Sequence, residues 1–398
     1  MHPGEDLALS GVVPPTESAH SPRTGVEVSL AGLIAGIALG CVAVLMCGIQ
    51  PLALGALQSA GRLSIPQMGA AATFELLALG CVSAWLAGRV RPRSLKLWTF
   101  VGCAILIAAN AMGLAASGAG FIMTRTMAGF GGGIVLWVTA VIITRHADAP
   151  RVNAIFLSAQ SVTQGISAAL IPVFLTPRWA ANASLTVLGG TAVLVLPLIY
   201  FLPRELSFHR DTASKGSTFH HSSLFGLAAS FLVMAGIVGA WVFVEPIAVA
   251  AGISPTVVSN AIAASLGAQV IGALAIAAII RRVPPFAGVA GVALTYLLVT
   301  AALAWGHSGT AFVLTTLVFG ALWTITMSLL LPLMLKLDPT RRAALLLPGT
   351  ILLGSSAGPF VAGMFATESD IGPALMTCTV MFALSVVCTW IAYRTKIS

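Results

Sequence analysis

Charged residues are scarce in this sequence, and their scarcity excludes most classes of soluble protein. Only 12 acidic and 20 basic residues occur among 398 positions, so charged residues make up 8% of the chain. Soluble domains carry about 25%. Apolar residues reach 58% and the mean hydropathy is +0.99. The composition therefore predicts a protein that crosses a membrane many times.

Clusters of metal-binding or catalytic side chains are also missing. The six cysteines lie in apolar runs, with no Cys-x-x-Cys pair and no nearby histidine, which is typical of small core residues. No catalytic groups gather at one membrane face, and no polar filter sequence is repeated. We therefore predict no enzymatic activity, no cofactor and no metal site, although a sensor or enzyme built on a membrane scaffold stays an alternative.

Long apolar runs are what the sequence has instead. About 20 apolar residues cross a ~30 Å hydrocarbon core. Twelve runs of about this length or longer can be placed, near 30–57, 65–88, 97–116, 120–144, 154–175, 185–201, 224–251, 256–280, 286–305, 310–336, 343–365 and 373–392. The prediction is an all-α integral membrane fold with twelve transmembrane helices in two pseudo-symmetric six-helix bundles, at 29–203 and 223–394. Residues 1–28 are predicted to be a disordered cytoplasmic tail, 204–222 a cytoplasmic linker and 395–398 a second tail.

The basic residues are concentrated on one predicted side of the membrane. Seventeen of the 20 Lys and Arg fall in segments on that side, whereas Arg62 and Arg178 lie in opposite loops and Arg125 lies within a helix. Such a bias marks the cytoplasmic face. We predict a multi-pass protein of the plasma (cell inner) membrane with both termini in the cytoplasm. The distribution argues against a basic patch for nucleic acid.

The two predicted halves also resemble each other in sequence. Segment 48–53, with Gln50 and Pro51, aligns with segment 243–248, with Glu245 and Pro246, at an offset of 195. Segment 121–125 and Gly129 align with 312–316 and Gly320 at an offset of 191. Internal duplication is a known plan for transporters. Positions at which the halves differ in charge are therefore the better candidates for function.

Three ionisable side chains are predicted at membrane depth: Glu75, Arg125 and Glu245. A charge at the centre of a bilayer helix costs about 2.5–3.5 kcal/mol on insertion scales, so such residues face other helices or a water-filled path. Glu75 is placed near mid-membrane, and Arg125 and Glu245 toward the outer third. All three are predicted to serve proton coupling. The alternative is that a glutamate pairs with Arg125 and locks helices together.

A wider set of polar and aromatic side chains is predicted to contact a solute. Trp241 lies one turn before Glu245 and shares its face, and Gln160 and Gln164 are likewise one turn apart. Amides can instead bridge helices, and tryptophans can instead pack. The predicted binding residues are Arg125, Glu245, Trp241, Gln50, Gln160, Gln164, Gln269, Trp137 and Trp323.

The architecture and two degenerate motifs resemble the major facilitator superfamily of secondary transporters. The family's loop Gly-x-Leu-Ala-Asp-Arg-x-Gly-Arg-Arg is similar to segment 84–93, which keeps Leu86, Ala87, Arg89 and Arg93 but has Gly88 at the Asp and Arg91 at the second Gly. Segment 125–129 resembles Arg-x-x-Gln-Gly, with Ala128 replacing Gln. That resemblance implies a role for Arg125 in proton coupling. The Gly-x-x-x-Gly-Pro signature of drug antiporters is absent from the fifth run, and a similar Gly354–Pro359 segment occurs in the eleventh.

Taken together, these features predict a secondary transporter that moves a small organic solute by alternating access, with proton coupling. One arginine beside an aromatic side chain fits an anionic or zwitterionic solute. The alternatives are an efflux antiporter for lipophilic or cationic compounds and a passive facilitator. The predicted partners are the solute, protons and the lipid bilayer, and the chain is expected to be a monomer.

Overall fold

The computed structural model of the protein describes residues 28–90, 93–146, 149–204, 221–305, 308–338, 342–367 and 369–397. Within these ranges the chain forms α-helices and short helical turns and no strand. The first half contains α1 Leu30–Ala43, α2 Leu45–Ser59, α3 Ile65–Arg89, α4 Leu95–Gly113, α5 Gly118–Thr144, α6 Ala149–Leu170, α7 Thr176–Trp179 and α8 Ala183–Leu194. The second half contains α9 His221–Ala250, α10 Pro255–Ile279, α11 Pro285–Trp305, α12 Gly309–Leu337, α13 Arg342–Phe365 and α14 Gly372–Ile397.

The first predicted membrane span is broken into α1 and α2 at Val44. The φ and ψ angles of Val44 are −110° and 10°, outside the helical range. Its carbonyl accepts hydrogen bonds from the Cys47 N–H at 3.1 Å and from Gln164 Nε2 at 2.8 Å. Because a lipid environment offers no water to an unpaired carbonyl, the amide of Gln164 stabilises this break.

Eleven stretches of the described residues are long and apolar enough to cross a membrane, and one of them spans two predicted helices. This stretch, Arg151–Phe201, has 51 residues, more than twice the ~20 that one crossing needs. It contains a π-helical turn at Ile171–Leu175, the short α7 and a positive φ of 46° at Ala180. The chain reverses there, which gives the twelve predicted spans.

Two of the predicted segments lie largely outside the residues that the structure describes. Residues 1–27 of the predicted tail and 205–220 of the predicted linker lie outside the described residues. Helix α14 continues to Ile397, beyond the predicted end of the second bundle at 394.

The two halves pack the same pairs of helices. Contacts between α3 and α5 in the first half match those between α10 and α12 in the second, and α4–α5 matches α11–α12. At the crossing points, a Cβ added to Gly129 would collide with the Glu75 carbonyl, and one added to Gly320 with the Ser265 carbonyl. The predicted fold, two pseudo-symmetric six-helix bundles, is confirmed.

The halves meet mainly through three pairs of helices, α2 with α9, α3 with α13 and α6 with α10, and less through α3 with α9 and α2 with α10. The Thr73 hydroxyl in α3 donates a hydrogen bond to the Ser356 carbonyl in α13 at 2.6 Å. The Ser161 hydroxyl in α6 donates to Gln269 Oε1 in α10 at 3.2 Å. The α3–α13 contact extends from Gly69, beside Pro359, to Gly80, beside Leu352.

Candidate functional site

Arg125 and Glu75 form a buried ion pair inside the first half. Arg125 Nε donates to Glu75 Oε2 at 3.0 Å, and Arg125 Nη2 donates to Glu75 Oε1. Arg125 Nη1 donates to Asn110 Oδ1 at 2.8 Å, and Asn110 Nδ2 donates to the Leu106 carbonyl at 2.8 Å. Arg125 is 1% exposed and Glu75 is 5% exposed. The network joins α3, α4 and α5.

This ion pair corresponds to the alternative interpretation of the sequence, in which a glutamate pairs with Arg125 and locks helices together. The glutamate is Glu75. The guanidinium fork meets both carboxylate oxygens of Glu75, the geometry that gives the strongest charge-assisted hydrogen bonds. The sequence placed Glu75 deeper than Arg125, but the ion pair brings the two charged groups to the same depth. Sequence reasoning missed Asn110, because one amide in an apolar run gives no signal of its partner.

Glu245 lies apart from that ion pair, where α9 meets α2. A Cβ added to Gly55 of α2 would collide with the Glu245 carboxyl group, so the carboxyl packs directly against the α2 backbone. Glu245 Oε2 is buried and has no hydrogen-bond partner among the described residues. Pro246 follows inside α9. The acid therefore occupies a contact between the two halves, and no described cation is paired with it.

Trp241 belongs to an aromatic cluster in the second half. Its ring stacks on Phe319 with centroids 5.9 Å apart and meets Trp323 edge to face at 6.0 Å. Tyr296 stacks on Phe382 at 4.7 Å and meets Phe319 edge to face at 5.2 Å. Trp241 is 0% exposed, yet its Nε1 has no hydrogen-bond partner among the described residues. One indole N–H is therefore buried without an acceptor.

The predicted glutamines divide into bridging and unpaired side chains. Gln164 bonds to the Val44 carbonyl and Gln269 accepts from Ser161, so both amides join helices. Gln50 is 1% exposed, and neither its Oε1 nor its Nε2 has a partner in the described part of the chain. Gln160 is half-buried on α6. Both polar atoms of the Gln50 amide are thus available to bind another group.

Trp137 lies apart from the other predicted binding residues. It packs edge to face on Trp98 with centroids 6.1 Å apart, within an apolar cluster formed by residues of the first half. Trp323, by contrast, contacts Trp241 directly. The structure thus gathers Glu75 with Arg125, and Trp241 with Trp323, while Glu245 stands at the contact between halves.

Comparison with known proteins gives matches in structure and none in sequence. No family model matches the chain, and no curated protein sequence matches it. The nucleoside transporter NupG (a mutant) has a TM-score of 0.72 at 14% identity, over 92% of this chain and 99% of that one. A bacterial homolog of the human lysosomal transporter Spinster, inward-facing and occupied, has a TM-score of 0.61 at 16% identity, over 92% and 96%.

A third match comes from a structural study of proton dependent oligopeptide transporters. It has a TM-score of 0.59 at 14% identity and covers 92% of this chain and 98% of that one. Each of these proteins is named as a transporter, and at these identities the likeness concerns the fold. The chain shares the fold of these transporters, and this is the twelve-helix fold that its sequence resemblance predicted.

Proposed function

We propose that this protein is a secondary transporter in which the two halves rock against each other and Glu245 exchanges the coupling proton. The observation that carries the proposal is the Glu245 carboxyl group, buried against Gly55 at the α2–α9 contact with Oε2 unpartnered. Transporter folds of this kind place solute and ion sites between their repeats. Glu245 is the ionisable side chain at that boundary in the described membrane helices.

The proposed coupling follows from the environment of this carboxyl group in two conformations. With α2 and α9 in contact, an ionised carboxylate at Glu245 would be buried without a compensating charge, which is expensive. The closed contact therefore suits the neutral acid. Separation of α2 from α9 would admit water to the carboxyl group and allow the proton to leave. Closure of the α2–α9 contact is thereby coupled to protonation of Glu245.

Glu75 and Arg125 are assigned a different part in this proposal. Each satisfies the other, and Asn110 takes up a further guanidinium N–H. Removing one partner of such a pair leaves a buried charge, so proton exchange at Glu75 would first require Arg125 to move away. We therefore assign proton exchange to Glu245 and assign the ion pair to the positioning of α3, α4 and α5.

A second candidate concerns the charge of the solute. An anionic solute was expected because of Arg125, but that guanidinium is enclosed by Glu75 and Asn110. Among the described residues, the buried side-chain atoms without hydrogen-bond partners include Glu245 Oε2, Trp241 Nε1 and the amide of Gln50, besides the hydroxyls of Ser223 and Ser265. An acid one helical turn from an aromatic residue on α9 suits a lipophilic cation, which interacts with both carboxylates and ring faces. Transport of lipophilic cations is therefore the second proposal.

The test begins with a thermal-shift screen of organic acids, sugars, amino acids and cationic dyes against the purified protein, since a ligand of the folded state raises its stability. A stabilising compound is then used, radiolabelled, in proteoliposomes. Glu245→Gln should abolish uptake driven by a pH gradient while counterflow exchange of the same compound continues.

The matched variant is Glu75→Gln, which removes the other membrane carboxylate. If Glu245→Gln takes up the compound at the wild-type rate under a pH gradient, proton exchange at Glu245 is wrong. If counterflow is lost as well, the carboxylate binds solute rather than the coupling proton.

A further inference from the structure

A surface groove of about 410 Å³ runs between α3, α4 and α5, lined by residues of the first half. Its walls are almost wholly apolar and include Cys81, Trp85, Trp98, Phe130 and Ile134. Trp85 and Phe130 are 54% and 49% exposed on the surface of the protein. Water finds few hydrogen-bond partners in such a groove, so an apolar chain is the better occupant.

The groove follows the predicted cytoplasmic half of α3. Its wall on that helix extends from Ala78 to Leu86, about 12 Å at 1.5 Å per residue. Arg89 ends the helix three positions later, about 16 Å from Ala78 and so close to half of the ~30 Å hydrocarbon core away. The groove thus begins near the membrane centre and ends less than one helical turn before Arg89 at the predicted cytoplasmic headgroup region.

The mouth of the groove is basic and aromatic. The guanidinium of Arg89 lies 6.0 Å from the centre of the Trp85 ring, and Arg93 is exposed in the loop that follows α3. Among the described residues of segment 88–96, Arg89, Arg93 and Lys96 are basic and none is acidic. Tryptophan is enriched at the level of lipid headgroups.

We propose that this groove binds an anionic phospholipid of the cytoplasmic leaflet, with one acyl chain along Cys81 and Phe130 and the phosphate at Arg89 and Arg93. The charge at the mouth selects the headgroup, because juxtamembrane basic side chains attract anionic lipids. The apolar walls select the acyl chain. The site is formed by the first half alone and does not depend on the proposed transport cycle.

The test is photocrosslinking of the full-length protein in nanodiscs, using phosphatidylglycerol with a photoreactive group on one acyl chain. Phosphatidylcholine with the same chain is the neutral probe. Crosslinks mapped by mass spectrometry should concentrate on α3 between 78 and 86 and on α5 near Phe130, and phosphatidylglycerol should exceed phosphatidylcholine. Arg89→Gln with Arg93→Gln should lower the phosphatidylglycerol crosslinks by about fivefold or more, from the strength of one basic contact.

The matched variant is Arg281→Gln with Arg282→Gln, which removes an exposed basic pair from the corresponding loop of the second half. It should leave the groove crosslinks unchanged. A second variant, Cys81→Trp, fills the groove and should reduce crosslinks from both probes, whereas Gly291→Trp, at an open position on α11, should not. Equal crosslinking by the two lipids, or equal losses in the two arginine double variants, would overturn the proposal.

Discussion

The two halves of the protein share a scaffold and hold it together by different chemistry. In the first half, Glu75, Asn110 and Arg125 form one network across α3, α4 and α5. In the second half, the hydroxyl side chains Ser265 and Thr316 take the positions of Glu75 and Arg125, and Thr300 lies on α11. Thr316 and Thr300 donate to carbonyls of their own helices, at 2.7 and 3.0 Å. The Thr300 hydroxyl also accepts a hydrogen bond from Thr379 of α14 at 3.0 Å, and no described bond joins either hydroxyl to α10.

Aromatic rings join the helices of the second half, together with single hydrogen bonds such as that from the Tyr296 hydroxyl to the Phe319 carbonyl at 3.1 Å. Trp241 of α9, Tyr296 of α11, Phe319 of α12 and Phe382 of α14 contact one another in a continuous cluster. Ring contacts of this kind tolerate small shifts, since each pair adds only about 0.5–1.5 kcal/mol beyond burial. A bidentate ion pair has a fixed geometry. The comparison suggests a rigid first half and a second half whose contacts can adjust when the halves move.

The largest expected loss of stability comes from replacing Arg125 of the first half by threonine, the residue at the aligned position 316 of the second half. Arg125→Thr leaves Glu75 buried without its cation, and loss of one partner of a buried pair is destabilising by about 3–5 kcal/mol. The measurement is thermal unfolding of the purified protein in detergent. Arg125→Thr combined with Glu75→Ser should recover part of this loss, because the unpaired charge is then absent.

The matched control for this prediction is Thr316→Ala in the second half. It removes a hydroxyl that bonds to the Phe312 carbonyl of its own helix and should lower stability by about 1 kcal/mol or less. If Arg125→Thr and Thr316→Ala had equal effects, the two halves would not differ in the way proposed.

A smaller loss of stability, equal in the two halves, is expected at the helix crossings formed by Gly129 and Gly320. Gly129→Ala would place a Cβ against the Glu75 carbonyl, and Gly320→Ala would place one against the Ser265 carbonyl. Overpacking of this kind costs about 1–3 kcal/mol, and both variants should lose similar stability in thermal unfolding. Gly267→Ala, at an open position on the same helix as Ser265, should be nearly neutral. A loss in only one of the two tight variants would argue against equivalent crossings.

Much of the scaffold could be predicted from sequence, because apolar run length and internal repetition are local properties. The alignment of Gly129 with Gly320 predicted equivalent positions, and the contact of each glycine with a carbonyl group, of Glu75 in the first half and of Ser265 in the second, confirms them. The order and approximate limits of the twelve spans followed from the ~20 residues that one crossing needs.

The partners of the polar groups could not be predicted in this way. Counting residues from helix ends placed Arg125 and Glu75 at different depths, but a long guanidinium side chain reaches across about one turn. The break at Val44 depends on Gln164, which is 120 positions away in the chain. The packing of Glu245 against Gly55 depends on how the two halves meet, and no local pattern encodes that.

The smallest expected change in stability is at Trp241, where the comparison between halves can be made sharper. Trp241→Phe keeps an aromatic ring beside Phe319 and removes an indole N–H that has no described acceptor. The lost ring volume costs about 1 kcal/mol, and relief of the unpaired donor offsets part of it, so the unfolding temperature should change little. If this N–H meets the solute, the thermal shift produced by a stabilising compound should fall in Trp241→Phe. Trp137→Phe, within the packed cluster of the first half, should keep the full shift, and equal shifts in both variants would place the solute away from Trp241.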